Sequence, residues 1–358
     1  MRQVLRVKTE DRDYNIEISD NSFERLNLDI AEATQGQKRV VVISKRVYDL
    51  YSDVLDFYED ELFILKDGEK EKNYKNYLNI MKFALERGLT RKDVMIAVGG
   101  GVVGDITGFA ASTYMRGIDY IQIPTTLLSA VDSSVGGKTA IDFDEAKNII
   151  GTFYQPKAVY VNINFLNTLD KRQFLSGLGE VIKYGFIEES CGHSQPLFLF
   201  EFLTLGNEKI LQKEPITIIR MIEYCLKLKV AVVNNDEKES GLRKILNLGH
   251  TYAHALETIS KYKKYTHGEA VVQGMFFIFN WAYAKNYITY SYYRLATELF
   301  EKYGFKFEKT KYPVNKLIDI MRKDKKASKD KISFIIPCDK KQVKEIKLTP
   351  IEVGYMFG

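Results

Sequence analysis

The chain predicts an α/β N-terminal domain with a mostly parallel sheet, followed by a mainly α-helical C-terminal domain. Three observations predict it. Short β-branched runs alternate with helix-period segments up to residue 169, a Gly-rich turn joins one of those runs to a helix, and after Leu169 long helical patterns take over. At 358 residues the chain exceeds the roughly 250–300 that one core sustains, so the expected domains are 1–169 and 170–358.

In the first domain, Val4–Lys8 and Tyr14–Ile18 read as a hairpin turning around Asp11–Asp13. Arg39–Ser44, Glu61–Lys66, Val94–Val98, Tyr120–Pro124 and Ala158–Val161 then read as strands, with helical segments such as Asn73–Gly88 and Asp105–Tyr114 between them. Such βαβ units build a parallel, doubly wound sheet, whose ligands bind at strand C-termini near a topological switch point. In the second domain, Gln173–Glu188, Ile216–Asn234, Asn247–Lys261, Gly268–Tyr287 and Tyr293–Tyr303 read as helices, and Lys331–Ile336 and Val343–Leu348 as extended. No repeat, low-complexity tract or flexible linker separates the halves, so the cleft between them is the expected binding place.

Composition narrows the class. Hydrophobic content of 45% and charged content of 28% are ordinary for a soluble globular protein. A net charge of +5 mildly favours anionic ligands. It does not argue for nucleic acid, because the basic residues are scattered; the densest run, Lys323–Lys331, holds Asp324 and Asp330 and reads first as a solvated helix end. Cys191, Cys225 and Cys338 are odd in number, widely spaced and without CxxC, which fits a reducing compartment. The N-terminus has no apolar h-region. The most apolar stretch, Ala270–Ala284, is too short for a bilayer and contains Gln273 and Asn280, so it reads as a buried core helix. The expectation is a soluble, cytoplasmic protein that binds no membrane.

The strand Val94–Val98 runs into Gly99-Gly-Gly-Val-Val-Gly104-Asp105 and then a helix. Glycines permit positive φ and let backbone N–H groups approach a pyrophosphate, and a helix N-terminus adds partial positive charge. Gly99, Gly101 and Gly104 satisfy GxGxxG in the strand–turn–helix context, which makes this a candidate dinucleotide-binding domain; a purely structural tight turn is the competing reading. The loop lies late in the chain and no acid ends the next strand, so it is not the ordinary fingerprint. Asp67-Gly-Glu69-Lys-Glu-Lys72 ends another strand, where an acid can accept ribose hydroxyls and a lysine can contact phosphate, or the segment is simply a solvated turn.

Of four histidines, His250, His254 and His267 fall within eighteen residues. His250 and His254 are i, i+4 with Asn247 at i−3, and imidazoles at that spacing can bind zinc. Glu180 sits on an apolar helical segment where an unpaired carboxylate is costly, with Lys183 one turn on. Hydrogen-bonded core histidines and a Glu180–Lys183 pair would explain the same residues. Three ligands with an open position would make a catalytic rather than a structural metal site. Arg116, Lys138, Lys147, Lys229, Arg243 and Lys325 are surface charges one by one, and as a set can neutralise a carboxylate and a phosphate.

Taken in order, Gly99–Asp105, Tyr114-Met-Arg116-Gly117, Pro124-Thr-Thr-Leu-Leu128, Val131-Asp-Ser-Ser-Val-Gly-Gly-Lys138-Thr, Lys147-Asn-Ile-Ile-Gly151 and Gln155-Pro156 resemble the 3-dehydroquinate synthases. Thr168-Leu169, Gly179-Glu-Val-Ile-Lys183, Arg243 through Leu246-Asn-Leu-Gly-His250-Thr with His254, His267-Gly-Glu269, Gly274-Met275 and Asp324-Lys-Lys326 extend the resemblance over nearly the whole chain. These sugar-phosphate cyclases are related in fold to glycerol and iron-type alcohol dehydrogenases. The resemblance implies a lyase of the shikimate pathway, which leads to chorismate and the aromatic amino acids. It implies conversion of 3-deoxy-D-arabino-heptulosonate 7-phosphate to 3-dehydroquinate and phosphate. The steps are transient oxidation by NAD, phosphate elimination, reduction and intramolecular aldol closure, in a homodimer.

Carried over by motif, Glu180, His250 and His267 would hold Zn²⁺ (or Co²⁺), while His254 would face substrate. Glu69, Lys72, Gly100, Gly101, Asp105, Thr125, Thr126, Lys147, Phe165 and Thr168 would line NAD. Arg116, Asp132, Lys138, Asn148, Lys183, Lys229, Arg243, Asn247, His254 and Lys325 would surround substrate, with Lys138, Lys183, Arg243, Glu239 and His254 catalytic and the last two in proton transfer. The chain departs from the family pattern at Ser44-Lys-Arg46, which has no acid near adenosine, and at Ser176, Gly179 and Ala253; Glu189–Pro196 matches nothing. The alternatives are another sugar-phosphate cyclase (2-deoxy-scyllo-inosose, valiolone or amino-dehydroquinate type), against which Ser134–Lys138, Asn148 and His254 speak, and a net oxidoreductase of the glycerol dehydrogenase type. A silent NAD-binding module is a third, opposed by retention of all three metal-ligand candidates and Lys183.

Overall fold

The computed structural model describes residues 1–144, 146–324 and 331–357. They fall into two compact units: Met1–Leu169 with Ile218–Asn234, and Asp170–Thr217 with the chain from Asn235 onward.

The first unit runs β1 (Arg2–Val7), β2 (Tyr14–Ser19), α1 (Phe23–Ala33), β3 (Arg39–Ser44), α2 (Lys45–Tyr51), β4 (Leu62–Leu65), α3 (Tyr74–Glu86), β5 (Val94–Gly99), α4 (Gly101–Thr113), β6 (Asp119–Pro124), β7 (Lys138–Phe143), β8 (Ala146–Phe153) and β9 (Ala158–Asn162). Seven strands form one sheet in the order β1-β2-β9-β6-β5-β3-β4, parallel except for the β1–β2 hairpin. Strand residues alternate between faces. Val40, Val42, Met95 and Ala97 pack with Ile80, Ala84, Val103 and Ile106, while Val41, Ile43, Ile96 and Val98 pack with Leu26, Ile30, Val47 and Phe165. Both faces are therefore covered, as a parallel sheet requires. The chain leaves β3 for β4 on one side and returns to β5 on the other, so the switch point lies where β3 and β5 end, at Ser44 and Gly99.

α1, α2 and the β7–β8 hairpin are additional to the elements predicted from the sequence. α1 is capped by Ser22, whose side chain accepts the Arg25 N–H, and its buried Leu26 and Ile30 are i, i+4. β7 and β8 pair with a register shift between Ile141 and Phe143, and their residues carry binding motifs whose chemistry masks the strand pattern.

The second unit runs α5 (Lys171–Ile187), α6 (Leu199–Leu205), α7 (Asn207–Leu211), α8 (Pro215–Asn235, of which 218–234 belong to the first unit), α9 (His250–Ile259), α10 (His267–Ala284), α11 (Tyr290–Lys302), α12 (Val314–Asp324) and a hairpin of β10 (Ile332–Cys338) and β11 (Gln342–Leu348). α10 packs against both α5 and α9, and Phe186 of α5 meets Phe279 and Phe300 with ring centroids 4.8 and 5.4 Å apart. Among the described residues no helix is long and apolar enough to cross a membrane. None of the three cysteines is in a disulfide among the described residues, and Cys191 and Cys225 are buried.

Candidate functional site

The glycine turn serves close approach and not positive φ. α4 begins at Gly101 rather than near Asp105, and none of Gly99, Gly100, Gly101 and Gly104 takes a positive φ. Close approach is what excludes side chains here. A Cβ at Gly99 would lie 2.6 Å from Val103 Cγ2, one at Gly104 2.7 Å from Gln122 Oε1, and one at Gly100 3.2 Å from Thr126 Cγ2. Gly100 caps α4 without a side-chain hydrogen bond, so the first-turn amides stay open toward an anion. Thr125 donates its N–H to Gly99 O, which places the Thr125-Thr126 turn beside the glycines at the end of the neighbouring strand.

Lys72 is the centre of a charge cluster. Only 4% exposed, its Nζ lies 3.0 Å from Asp105, 3.2 Å from Glu69, 3.9 Å from Asp142 and 2.6 Å from Asn148 Oδ1. Lys147 approaches Glu69 at 3.5 Å. Burial works against the Lys72 ammonium, but Asp105, Glu69 and Asp142 outweigh it and push its pKa up. Burial also works against the Glu69 carboxylate, yet Lys72 and Lys147 hold its pKa below the ordinary value; burial lifts Asp105 and Asp142. The amine read as a phosphate contact is thus engaged by carboxylates. Asp142, which no motif marked, also accepts the Asn148 N–H at 2.9 Å and so holds Asn148 at φ +54°.

Other candidates of this unit spread along strand ends. Met115, Arg116 and Gly117 take three successive positive φ values, a strained turn that presents an exposed Arg116. Lys229, on α8, is buried against Asp132 at 2.9 Å, and Lys138 opens β7 as an exposed residue. Thr168 Oγ1 bonds Tyr51 Oη at 2.6 Å. The Phe165 ring is committed to the core, packed on Phe23 and Tyr51. At the end of β3, where the sequence has no acid, Asp67 accepts the Arg46 N–H at 3.0 Å. Lys325 lies outside the described residues.

In the second unit Glu180, His250 and His267 form the group of ligand-type residues whose donor atoms all lie within 4.8 Å of one another. His250 Nε2 is 3.4 Å and His267 Nε2 3.3 Å from Glu180 Oε1. Ligands 2.0–2.1 Å from a tetrahedral ion are separated by about 3.3 Å, so these spacings fit one divalent cation. His250 Nδ1 faces Leu248 O at 3.1 Å. A carbonyl only accepts, so the N–H is on Nδ1 and the Nε2 lone pair faces the carboxylate, an arrangement a cation resolves. Burial holds His250 neutral against the Glu180 charge, with Lys183 and the other two imidazoles adding to the effect. For His267, burial is outweighed by Glu180 and Glu257, which push it up to about 10. Glu180 (0% exposed) also pairs with Lys183 (1%) one turn along α5. His254 stands outside the triad, its ring 5.5 Å from His250 and 6.3 Å from His267.

Glycines bring the ligand-bearing segments together. Both histidines are the first residues of their helices. α9 starts after Gly249 at φ +78°, so Asn247 ends a preceding 3-10 turn and is not on the helical face of His250, contrary to the sequence expectation. A Cβ at Gly249 would be 2.7 Å from Val271 O, one at Gly274 1.9 Å from Gly249 O, one at Gly268 1.7 Å from Ser176 O and one at Gly179 2.5 Å from Gly268 O. The Gly268 N–H donates to Ser176 Oγ at 3.1 Å, which gives Ser176 its purpose. His267 follows Thr266, which forms a capping box with Glu269, itself held by Arg172 at 2.7 Å.

Asp236 organises the loop of the remaining candidates. Its carboxylate accepts the N–H groups of Ser240, Gly241 and Arg243, each at 2.8 Å, and the Ser240 hydroxyl at 3.0 Å. On that loop Glu239, at φ +59°, accepts from Asn247 Nδ2 at 2.8 Å, and Arg243 is buried. Burial would raise the Asp236 pKa, yet the three amides hold it below the ordinary 3.8. A depressed folded pKa contributes stability that is present above the unfolded value and lost as pH falls through the folded one. Asp236→Asn is therefore expected to destabilise by about 2–3 kcal/mol from pH 5 to 8. Denaturant titrations of both proteins should show that gap narrowing below about pH 4, and a gap constant with pH would remove the assignment.

The comparisons bear on this geometry. A family model described as 3-dehydroquinate synthase N-terminal matches residues 62–176, and one described as 3-dehydroquinate synthase C-terminal matches 177–327. A 3-dehydroquinate synthase of Alkaliphilus metalliredigens (strain QYMF) is 41% identical over 354 residues, 98% of this chain and 97% of that one. One of Dictyoglomus thermophilum is 41% identical over 333 residues, 93% and 91% of the two chains. Among solved structures, ValA, a 2-epi-5-epi-valiolone synthase from Streptomyces hygroscopicus subsp. jinggangensis 5008 with NAD⁺ and Zn²⁺ bound, has a TM-score of 0.84 at 22% identity, covering 98% and 97%. A 2-deoxy-scyllo-inosose synthase complexed with carbaglucose-6-phosphate, NAD⁺ and Co²⁺ has a TM-score of 0.81 at 22% identity, covering 99% of each. A probable glycerol dehydrogenase from Sinorhizobium meliloti 1021 reaches 0.63 at 16%, covering 84% and 86%. At these identities the structural likenesses speak to the fold.

Proposed function

Because the chain belongs to the 3-dehydroquinate synthase family, we propose that it converts 3-deoxy-D-arabino-heptulosonate 7-phosphate to 3-dehydroquinate and phosphate. It does so as a cytoplasmic lyase that depends on NAD and a divalent metal. The observation that carries the reading is the Glu180–His250–His267 triad, with donor spacings suited to one ion, in a chain matched from end to end by such synthases.

When bound, NAD supplies a reversible hydride acceptor and Zn²⁺ or Co²⁺ supplies Lewis acidity. Glu180, His250 and His267 hold the ion. The open amides at the start of α4, with Gly100, Gly101, Thr125 and Thr126, receive the dinucleotide pyrophosphate. Lys72 keeps Glu69, Asp105 and Asn148 in one arrangement on the cofactor side. Arg116, Lys138, Lys147, Lys229, Lys183 and Arg243 are the cations that neutralise carboxylate and phosphate, and Asp132, Asn148 and Asn247 orient hydroxyls. Glu239 and His254 are the groups for proton transfer. With redox internal to the turnover, the chain has to keep its cofactor bound throughout.

A homodimer accompanies this reading. β8 is bonded to β7, and among the described residues no second strand pairs with it; Phe143, Ile149, Ile150 and Phe153 lie exposed along the hairpin. An exposed apolar edge of this kind invites a partner, and sedimentation velocity reads the result directly.

The function is tested in one assay. Protein given the heptulosonate phosphate should release phosphate and form a product that a dehydroquinase consumes, with no net NADH. EDTA should remove the activity and Zn²⁺ or Co²⁺ restore it. Stoichiometric NADH from a polyol, without phosphate release, would overturn the cyclase in favour of an oxidoreductase.

A further inference from the structure

His267 is held from two sides by carboxylates of different helices. Its Nε2 faces Glu180 Oε1 on α5 at 3.3 Å, and its Nδ1 faces Glu257 Oε1 on α9 at 3.4 Å. Glu257 is 4% exposed and lies seven residues after His250 and three after His254, on the same face of α9. A carboxylate is costly to bury unless it meets charge or hydrogen-bond donors. None of the roles assigned above uses it.

The two imidazoles differ in what supports them. Behind His250 stands the Leu248 carbonyl, at 3.1 Å from Nδ1; behind His267 stands a carboxylate. Both partners only accept, so each takes the Nδ1 proton and leaves Nε2, the nitrogen on the Glu180 side, as the one a cation would engage. The carboxylate does more than the carbonyl, because an anionic acceptor draws the Nδ1 proton and makes Nε2 the stronger donor. It also ties the start of α10 to the face of α9 that carries the other imidazoles.

We propose that Glu257 is the positioning residue of the metal centre, fixing the His267 ring with Nε2 toward the ion and strengthening it as a ligand for a divalent cation. The inference rests on the metal reading of Glu180, His250 and His267. A conserved fold with a weaker ion is what its loss produces, and no contact of Glu257 with substrate is required.

The test measures metal affinity without substrate or NAD. Wild type, Glu257→Gln and Glu257→Ala are stripped with chelator and titrated with Zn²⁺ against a chromophoric competitor. The Co²⁺ forms are compared by their visible absorption, which reports ligand geometry. Glu257→Ala should bind about 10–100-fold more weakly with an altered Co²⁺ spectrum, and Glu257→Gln, which can still accept from Nδ1 but carries no charge, should fall between. Where Glu257→Ala does not fold, the Gln variant decides alone, with a weaker ion expected. Wild-type affinity in every folded variant overturns the role of Glu257. A wild type that binds no ion overturns the metal reading itself, which is a separate result.

Discussion

Glu180→Ala is expected to cost about 10³-fold in kcat/KM and, at the same time, about 3–5 kcal/mol of stability. The two losses have different origins. On the metal-site reading proposed above, the first comes from removing the oxygen that both Nε2 atoms face, and the ion with it; Lewis-acid stabilisation is worth several kcal/mol, or about a decade of rate for each 1.4 kcal/mol. The second comes from Lys183, which is 1% exposed and loses the carboxylate one turn away. A buried charge that loses an ion-pair partner is destabilising by the stated amount, whereas replacing both members by apolar residues of similar size is often neutral. Glu180→Leu with Lys183→Met should therefore recover most of the denaturation midpoint without recovering activity. A Glu180→Ala enzyme within tenfold of wild type would exclude the triad as the metal centre.

Gly268→Ala is the other large effect. The added Cβ would stand 1.7 Å from the Ser176 carbonyl oxygen and 2.5 Å from its carbon, and both are backbone atoms with nowhere to rotate. α10 must then shift away from α5 at the residue next to His267. Overpacking of this kind costs about 1–3 kcal/mol or more, and a displacement of about 1 Å in a reacting assembly costs about 10²-fold in rate. Activity, Zn²⁺ affinity and thermal midpoint should fall together. Gly304→Ala serves as the control: Gly304 takes φ +78° with open space around it, so strain should cost about 1 kcal/mol and leave metal binding intact. If Gly268→Ala keeps wild-type affinity, the glycine contact does not set the ligand geometry.

The central strands of the parallel sheet, β3, β5 and β6, were legible because they are buried on both faces and read as apolar runs; Val94–Val98 is buried throughout. The triad was legible because histidine is scarce and Glu180 stands in an apolar segment. What escaped was whatever depends on a backbone bond or on a distant partner. Asp142 and Asp236 act through main-chain N–H groups, which residue identity does not reveal. Glu257 did leave a signal, since it follows His254 by three residues and His250 by seven, but its meaning required the position of His267. Of the two reasons the sequence offers for the glycines of the α4 turn, positive φ is used by none of them, whereas room for close approach is what Val103, Gln122 and Thr126 demand. The break at Gly249 could not be read from spacing alone, because helical period continues across it from Asn247.

α10 meets α5 through Gly268 and the Gly249 cap of α9 through Gly274, six residues apart. At 1.5 Å and 100° per residue, those two contacts are fixed about 9 Å apart along the axis and at a set rotation about it. An inserted or deleted residue between them would swing one contact by 100° and carry it off its partner. The stretch 268–274 is therefore closed to changes of length, and so is the Thr266 cap before it, while the exposed residues 261–264 are where length can vary. Alignments of this region across species should place their gaps accordingly.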